Sequence, residues 1–440
     1  MTRAVTSSRV PWSRRLLGLP VTRGHGRFIT GNLIDSLAYG MLLPLGLLYF
    51  TTRRDLPLAS VGTAVTVGQL GALPVVFVAG RLLDRHGPKR LTVVANVTGA
   101  AGFLSFLLAE RPWQIACAYL LVQSGVNTYY TAHRTLILYV APTAERRGWF
   151  AFTGSLRNIG IGAGALLAAG ALALSGPSAL TWLVVTAAPL YLLAAVCFAG
   201  VPVHRPSDGT ASKEPTRGKR AHGKPDHGHP AVRRRSGAGD TRRYLLLVTA
   251  NVPFVLSQAM LAVLIAVYAT ETLGLPAWSA SLLLVVNTVM VSTLTSPLTA
   301  HMAPRQPRHT MALGHVLLVG AMLAFAVPVL PAAVLPAAGS AARPALVVGI
   351  VLFSLAEIFY APAVGELSVT LTPGAARGGS QGLYQLSWSV GNIVAPVLFT
   401  SLLSTDPLLP WAVQGVACLA ALAALPALRS PAPPDGGKRA

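Results

Sequence analysis

Long apolar stretches alternate with short polar connections along almost the whole chain. The hydrocarbon core of a bilayer is about 30 Å thick and an α-helix rises about 1.5 Å per residue, so 18 or more apolar residues predict a membrane-spanning helix. Such stretches lie at 28–50, 58–80, 91–109, 113–134, 149–172, 179–202, 244–270, 278–300, 310–330, 344–371, 381–403 and 410–428. The pattern predicts an all-α membrane protein with twelve transmembrane helices.

One polar segment interrupts this pattern far more than the others. Residues 203–243 are rich in Pro, Gly, Lys, Arg and His, which is typical of an exposed, flexible linker. The linker separates six spans from six. The predicted parts are a basic tail 1–27, a first six-helix half 28–202, the linker 203–243, a second six-helix half 244–428 and a tail 429–440.

The two halves repeat one another. A shift of 219 residues places Asn32, Met41, Tyr49, Leu56, Pro57 and Ser60 on Asn251, Met260, Tyr268, Leu275, Pro276 and Ser279. A second block, shifted by 231, pairs Pro142, Arg146, Gly148 and Gly160 with Pro373, Arg377, Gly379 and Gly391. Parallel six-helix halves are the plan of secondary transporters in which the halves rock about a site near the bilayer midplane.

Charge adds an orientation to the twelve spans. The chain is 53% hydrophobic with a mean hydropathy of +0.57, yet 35 Lys and Arg against 14 Asp and Glu give a net charge of +21. Most basic residues fall in connections on one side of the membrane, which the positive-inside rule assigns to the cytoplasm. We therefore expect a multi-pass protein of the cytoplasmic membrane with both termini inside, whose basic loops contact anionic lipid. No aromatic platform accompanies the charge, so nucleic acid is not an expected partner.

The sequence offers no site for an enzymatic reaction. It has no Ser/His/Asp set, phosphate-binding Gly loop or metal-ligand spacing in a plausible site. The linker cluster of His222, Asp226, His227 and His229 is interpreted as a solvated loop rather than a metal site. We expect no catalytic residue, metal or cofactor, so any uphill transport must use an ion gradient.

The connection between the second and third spans reads GRLLDRHGPKR and concentrates charge in a chain that has little. It is similar to the signature of the major facilitator superfamily, G-x-x-x-D-R-x-G-x-K/R-K/R. Every position is filled, by Gly80, Asp84, Arg85, Gly87, Lys89 and Arg90. The resemblance covers the whole chain and implies the two-half fold and alternating access.

This resemblance implies that Asp84 latches the two halves together in the outward-facing state. The glycines Gly80 and Gly87 permit a tight turn, and the basic residues hold the loop inside. The alternative is that the loop only fixes topology. A partner acid is often found at the inner end of the fourth span in this family, where only Glu145 is available to meet Arg85 or Lys89.

Three acids lie well inside predicted spans, where a charge costs about 2.5–3.5 kcal/mol on insertion scales. They are Asp35, Glu357 and Glu366. Asn32, Asp35 and Tyr39 share one helical face, which we expect to look into the central cavity. A carboxylate out of water holds a proton more readily, so these acids are candidates for proton coupling or substrate binding. The alternative is a polar contact between helices.

Basic and aromatic side chains inside the spans complete the candidate site. Arg134 could neutralise an acid or bind an anionic substrate, whereas Arg157 is expected to reach the inner interface. Aromatic candidates for the cavity wall are Tyr129, Tyr130, Tyr268, Tyr384 and Trp388.

The leading hypothesis is a monomeric transporter of small molecules, most similar to the drug:proton antiporter branch of the superfamily, that exports amphipathic or cationic compounds in exchange for protons. Its fifth span, however, reads G-I-G-A-G without the G-P pair of that branch. A transporter of a specific polar or anionic metabolite is therefore the alternative, and a membrane sensor without transport is a third hypothesis.

Overall fold

A computed structural model describes residues 18–42, 49–51, 54, 56–202, 238–331, 342–372 and 377–428. Most of the predicted tail 1–27, most of the linker 203–243 and all of the tail 429–440 lie outside these ranges. The domain boundaries drawn from the sequence therefore stay predictions, although the first helix after the linker begins six residues earlier than expected, at Ala238.

Within the described residues the chain forms twelve α-helices and no strand. They are α1 (Gly26–Leu42), α2 (Leu58–Gly71), α3 (Val75–Leu108), α4 (Pro112–Val140), α5 (Arg146–Ser175), α6 (Ala179–Ala199), α7 (Ala238–Val267), α8 (Ala277–His301), α9 (Pro307–Ala326), α10 (Ala342–Thr370), α11 (Arg377–Thr405) and α12 (Leu409–Ala424). A π-helical turn, Tyr268–Thr272, extends α7. The predicted all-α fold is confirmed.

The second and third spans differ most from the expected pattern. Helix α3 consists of two helical arms that meet at a kink in the charged connection, where Gly87, with φ of +78° and ψ of 165°, leaves helical geometry. Nine helical stretches of the described residues are long and apolar enough to cross a membrane. One of the nine contains both arms of α3, while α1 is described over only 17 residues and α4 carries several polar side chains.

Both halves use the same packing plan. In the first half α1 packs on α5 and α6, α3 packs on α4 and α6, and α2 packs on α4. The equivalent pairs of the second half are α7 with α11 and α12, α9 with α10 and α12, and α8 with α10. One pair of residues also meets in both halves: the ring of Tyr49 lies near that of Phe106, and at the positions 219 residues further on Tyr268 donates a hydrogen bond to the carbonyl oxygen of Phe325.

The halves meet along two sets of helices. Helix α3 packs against α11, and α5 packs against α8 and α10. We call the end of the bundle that carries the connections 81–90, 141–148 and 302–308 the basic end. The polar contacts between the two halves lie at this end and in the middle of the bundle.

Small residues set the separation of α1 and α5. A Cβ on Gly40 would collide with the backbone of Ile161, and a Cβ on Gly164 would collide with the carbonyl oxygen of Leu37. Lipid-facing helices gain little from apolar burial against each other, so close backbone approach is a main source of their association. This crossing also brings together the polar residues of α1 and α5.

Gly164→Val is expected to destabilise the protein by about 3 kcal/mol, because the added side chain must push α1 away from α5. Gly170→Val on the same helix is the matched control, since a Cβ there meets nothing within 4 Å. Thermal unfolding of the detergent-purified variants measures the difference. Equal midpoints for the two variants would contradict the role assigned to this crossing.

Candidate functional site

A central cavity of about 350 Å³ lies between the halves. Helices α1, α2 and α4 of the first half and α11 of the second half supply its wall. The side chains that line it are Tyr39, Gln69, Gln123, Val126, Tyr130, Arg134, Gln385, Trp388, Ser389, Asn392 and Ile393. Within this lining there is one guanidinium group, several amides and no carboxylate, so the cavity presents hydrogen-bond donors and positive charge.

Arg134 is held in this cavity by groups from both halves. Its Nη1 donates to the carbonyl oxygen of Tyr130 at 3.0 Å, and both terminal nitrogens donate to Gln385 Oε1 at 3.2 Å. The guanidinium carbon lies 4.5 Å from the ring centroid of Tyr384, a cation–π contact. These partners are neutral, so Arg134 keeps its full positive charge for a ligand.

Asp35 is buried in an ion pair with Arg157. Arg157 Nη1 donates to Asp35 Oδ2 at 3.0 Å, and the guanidinium carbon lies 4.6 Å from the ring centroid of Tyr130 and 5.2 Å from that of Tyr39. The expectation that Arg157 reaches the inner interface is therefore wrong. The physical reason is that a buried carboxylate next to α5 stabilises the guanidinium more than partial hydration at the interface would.

The polar face of α1 is directed inward, but only part of it reaches open space. Asn32 is buried, donates to the carbonyl oxygen of Phe28 at 2.7 Å and accepts from Tyr129 Oη at 3.0 Å. Asp35 borders a water-sized cavity of about 10 Å³. Of the three predicted residues, Tyr39 alone lines the central cavity.

The small cavity beside Asp35 and the central cavity share part of their walls. Tyr39, Val126 and Tyr130 line both spaces. The Asp35–Arg157 pair is thus separated from the central cavity by the thickness of these side chains.

Glu357 lies in a different place, among α7, α8 and α10 of the second half. Its Oε2 accepts a hydrogen bond of 3.3 Å from Asn287 Nδ2. It does not line the central cavity, so the structure does not bring Glu357 together with Asp35 or Arg134.

Glu366 belongs to the basic end. Arg147 Nε donates to Glu366 Oε2 at 2.6 Å, and the same guanidinium donates to the carbonyl oxygens of Arg305 and Met302. Arg147 is in the first half and its three partners are in the second. Glu366 therefore joins the halves, and its grouping with the cavity acids is not supported by its position.

The charged motif also joins the halves at this end. Asp84 Oδ1 accepts a hydrogen bond of 2.8 Å from the backbone N–H of Gly378, at the start of α11. Gly80 lies directly against the backbone of Gly378, where a Cβ would collide. Gly80 thus permits a close helix contact rather than the predicted turn, while Gly87 has the positive φ that favours glycine.

The remaining motif residues form no hydrogen bond or ion pair across the halves in the described part of the chain. Arg85 and Arg90 are exposed and Lys89 is half-buried. Glu145, the candidate partner of Arg85 or Lys89, instead accepts a hydrogen bond of 3.1 Å from the backbone N–H of Val21. The segment that leads into α1 is therefore fastened to the connection before α5.

Comparison with known proteins decides the family. The family model of the Major Facilitator Superfamily matches residues 28–342. This chain belongs to that superfamily.

The structural comparison agrees, because superfamily transporters of known structure cover nearly the whole chain. The alignment with the Escherichia coli fucose:proton symporter FucP covers 92% of this chain and 98% of the symporter, with 13% identity and a TM-score of 0.69. A bacterial homologue of the iron transporter ferroportin, in an outward-facing state, covers 91% and 98% with 14% identity and the same TM-score.

Curated superfamily relatives are similar over a shorter region. A Na(+), Li(+), K(+)/H(+) antiporter of Planococcus maritimus is 27% identical over 146 residues, which is 32% of this chain and 34% of the relative. The multidrug resistance protein MdtG of Enterobacter lignolyticus (strain SCF1) is 28% identical over 148 residues, or 32% and 34%. Each alignment thus spans about a third of the relative's length.

The sequence predicted some of the residues that line the central cavity and missed others. Arg134, Tyr39, Tyr130 and Trp388 line the cavity as expected. Tyr268 does not, because it packs on Trp411 in the second half. The amide groups of Gln69, Gln123, Gln385 and Asn392 were not predicted, although an amide within an apolar span is itself a signal.

Arg157→Gln is expected to destabilise the protein by about 3–5 kcal/mol, because it leaves the Asp35 carboxylate buried without a counter-charge. The double variant Asp35→Asn with Arg157→Gln should recover much of that loss. Thermal unfolding of the single and double variants forms a double-mutant cycle. If the two single effects simply add, the pair is not coupled and this account of Arg157 fails.

Proposed function

We propose that this superfamily transporter moves a small polar solute with an anionic group, by alternating access and coupled to protons, across the cytoplasmic membrane. The observation that carries the proposal is the central cavity. Arg134 projects its uncompensated charge there among neutral amide groups contributed by both halves. A guanidinium recognises carboxylate and phosphate groups through paired hydrogen bonds.

The size and remaining wall of the cavity support a small ligand with an apolar portion. A volume of about 350 Å³ is at the lower end of the range for small-molecule sites. Trp388, Tyr39 and Tyr130 offer aromatic faces close to the charged group. Such a site favours a small organic anion over a bulky amphipathic drug.

Alternating access is supported by the contacts at the basic end. Asp84 and Arg147 each reach across from the first half to the second at this end. Breaking both contacts would let the halves separate there, as the rocking mechanism requires. We assign the basic end to the cytoplasm, which makes this state outward-facing and gives Asp84 the latch role.

Proton coupling follows from the chemistry of the Asp35–Arg157 pair. A proton on Asp35 neutralises the partner of Arg157 and leaves a second guanidinium close to the central cavity. An anion in the cavity is then bound more strongly, and by linkage the anion favours protonation of Asp35. Proton and anion would therefore bind and cross together, as a symport.

Reconstituted liposomes with an imposed pH gradient test this function. We expect accumulation of a small aromatic carboxylate on the alkaline side, and an increase of about 10–100-fold in KM for Arg134→Gln, because a charge-assisted hydrogen bond contributes about 1.5–3 kcal/mol. Asp35→Asn should abolish accumulation but leave downhill exchange. The control Arg343→Gln removes an exposed guanidinium and should behave as the native protein. Unchanged KM in Arg134→Gln would reject the anion site.

Proton-coupled export of cationic or amphipathic drugs is the second candidate. The specific observation in its favour is the similarity to proteins named as a multidrug resistance protein and a cation/proton antiporter. In the same liposomes, proton release driven by an organic cation such as tetraphenylphosphonium, with no response to carboxylates, would favour this second candidate.

Asp84→Ala is expected to loosen the basic end, because it removes the acceptor of the Gly378 N–H bond. Val76 is fully buried on α3, which faces α11, so a Val76→Cys reporter should react with a maleimide roughly tenfold faster in the Asp84→Ala background. Glu110→Ala, two residues past the end of α3, is the control. Equal labelling in all backgrounds would leave the motif with a purely topological role.

A further inference from the structure

Glu357 is a carboxylate in the middle of a spanning helix without a basic partner. It lies halfway along α10 (Ala342–Thr370). No Lys, Arg or His of the described part of the chain forms an ion pair with it, whereas Asp35 and Glu366 each pair with an arginine. A negative charge at this depth requires a compensating positive charge or a proton. The surroundings of Glu357 indicate which of these it takes.

Three neutral polar side chains from three helices lie at or beside the carboxylate: two amides approach it, and the Ser354 hydroxyl contacts one of those amides. Asn287 Nδ2 on α8 lies between Glu357 Oε2, at 3.3 Å, and Ser354 Oγ, at 3.1 Å. Gln258 on α7 approaches the same carboxylate, yet its buried amide nitrogen makes no well-formed hydrogen bond. Carboxylate, hydroxyl and two amide groups thus converge at one point inside the second half.

We propose that this cluster is a binding site for one dehydrated alkali cation, with Glu357 as its charged ligand and Ser354, Asn287 and Gln258 as neutral oxygen ligands. Hard cations are bound by carboxylate, amide and hydroxyl oxygens. A site for a proton alone would need only the carboxylate, so the three additional oxygen-bearing groups are the reason for choosing a metal cation.

The amide of Asn287 explains how the site is satisfied without a cation. Its NH₂ group is a donor placed between two oxygens, where a cation would bind. Rotation of the amide by half a turn exchanges its nitrogen for an oxygen of nearly equal size. The same side chain can therefore donate to Glu357 in the empty site and accept from a cation in the filled one. Gln258 can turn in the same way.

This inference is independent of the anion site, because Glu357 does not line the central cavity. It concerns equilibrium binding and does not require transport. A failed transport assay would reject the proposed function without affecting the proposed cation site. A failed binding assay would reject the cation site without affecting the proposed function.

Binding of ²²Na⁺ to the purified full-length protein tests the site directly, with K⁺ and Li⁺ as competitors and N-methylglucamine maintaining ionic strength. We expect saturable binding to the native protein, loss of binding in Glu357→Gln, and weakening of at least about tenfold in Asn287→Leu. The matched control is Glu271→Gln, which removes an exposed carboxylate of the same half and should bind as the native protein does. Thermal unfolding without cation checks that each variant is folded.

Three results would overturn the proposal. The first is the absence of saturable binding of Na⁺, K⁺ or Li⁺ by the native protein. The second is unchanged binding in Glu357→Gln, which would place any bound cation elsewhere. The third is binding of tetraphenylphosphonium through Glu357 with no alkali cation able to compete, which would make the cluster a site for organic cations.

Discussion

A charge placed within a membrane-spanning bundle must find a partner, and this constraint organises the interior of the protein. Each buried charge satisfies it differently. Asp35 pairs with Arg157, Arg134 lies against neutral amide and aromatic groups, and Glu357 is surrounded by amides and a hydroxyl. A side chain that is paired with an opposite charge exerts little electrostatic attraction on a ligand. A charged side chain with only neutral partners still attracts a ligand of opposite charge. The choice of partner therefore decides which side chain can attract a ligand.

The two halves share a scaffold but divide the chemistry. The same helix pairs pack in both, and Asn32 and its repeat-mate Asn251 are both buried. Asp35, however, corresponds to Phe254, which stacks on Tyr360 at 4.3 Å in the second half. The repeat maintains the positions of the helices, while individual substitutions on those helices create a charged site in one half and an aromatic contact in the other.

The polar contacts of the bundle differ in the energy needed to break them. The buried Asp35–Arg157 pair would leave a bare charge in a dry environment if it were separated, so it is expected to persist unless a proton is bound. The Asp84–Gly378 bond lies at the basic end and its carboxylate is exposed, so hydration can replace this contact at small cost. The Arg147–Glu366 pair at the same end is largely buried, with 10% and 21% of the two side chains exposed, so water must reach it before the halves separate there.

The sequence by itself determined the membrane class, the helical spans, the repeat and the family motif. These features follow from hydropathy, length and spacing, which are local properties of the chain. It also identified Asp35, Tyr39 and Arg134 as exceptional, because a polar group in an apolar span is costly wherever the helix lies.

Only the tertiary structure decided which of these residues meet. Arg157 pairs with Asp35 because α1 and α5 cross at Gly40 and Gly164, a contact between residues more than a hundred positions apart. Spans that are apolar on every face carry little information about their rotation, since periodicity is weak there. The placement of Glu366 at the basic end, and of Glu357 away from the cavity, depends on that rotation and on the packing of neighbouring helices.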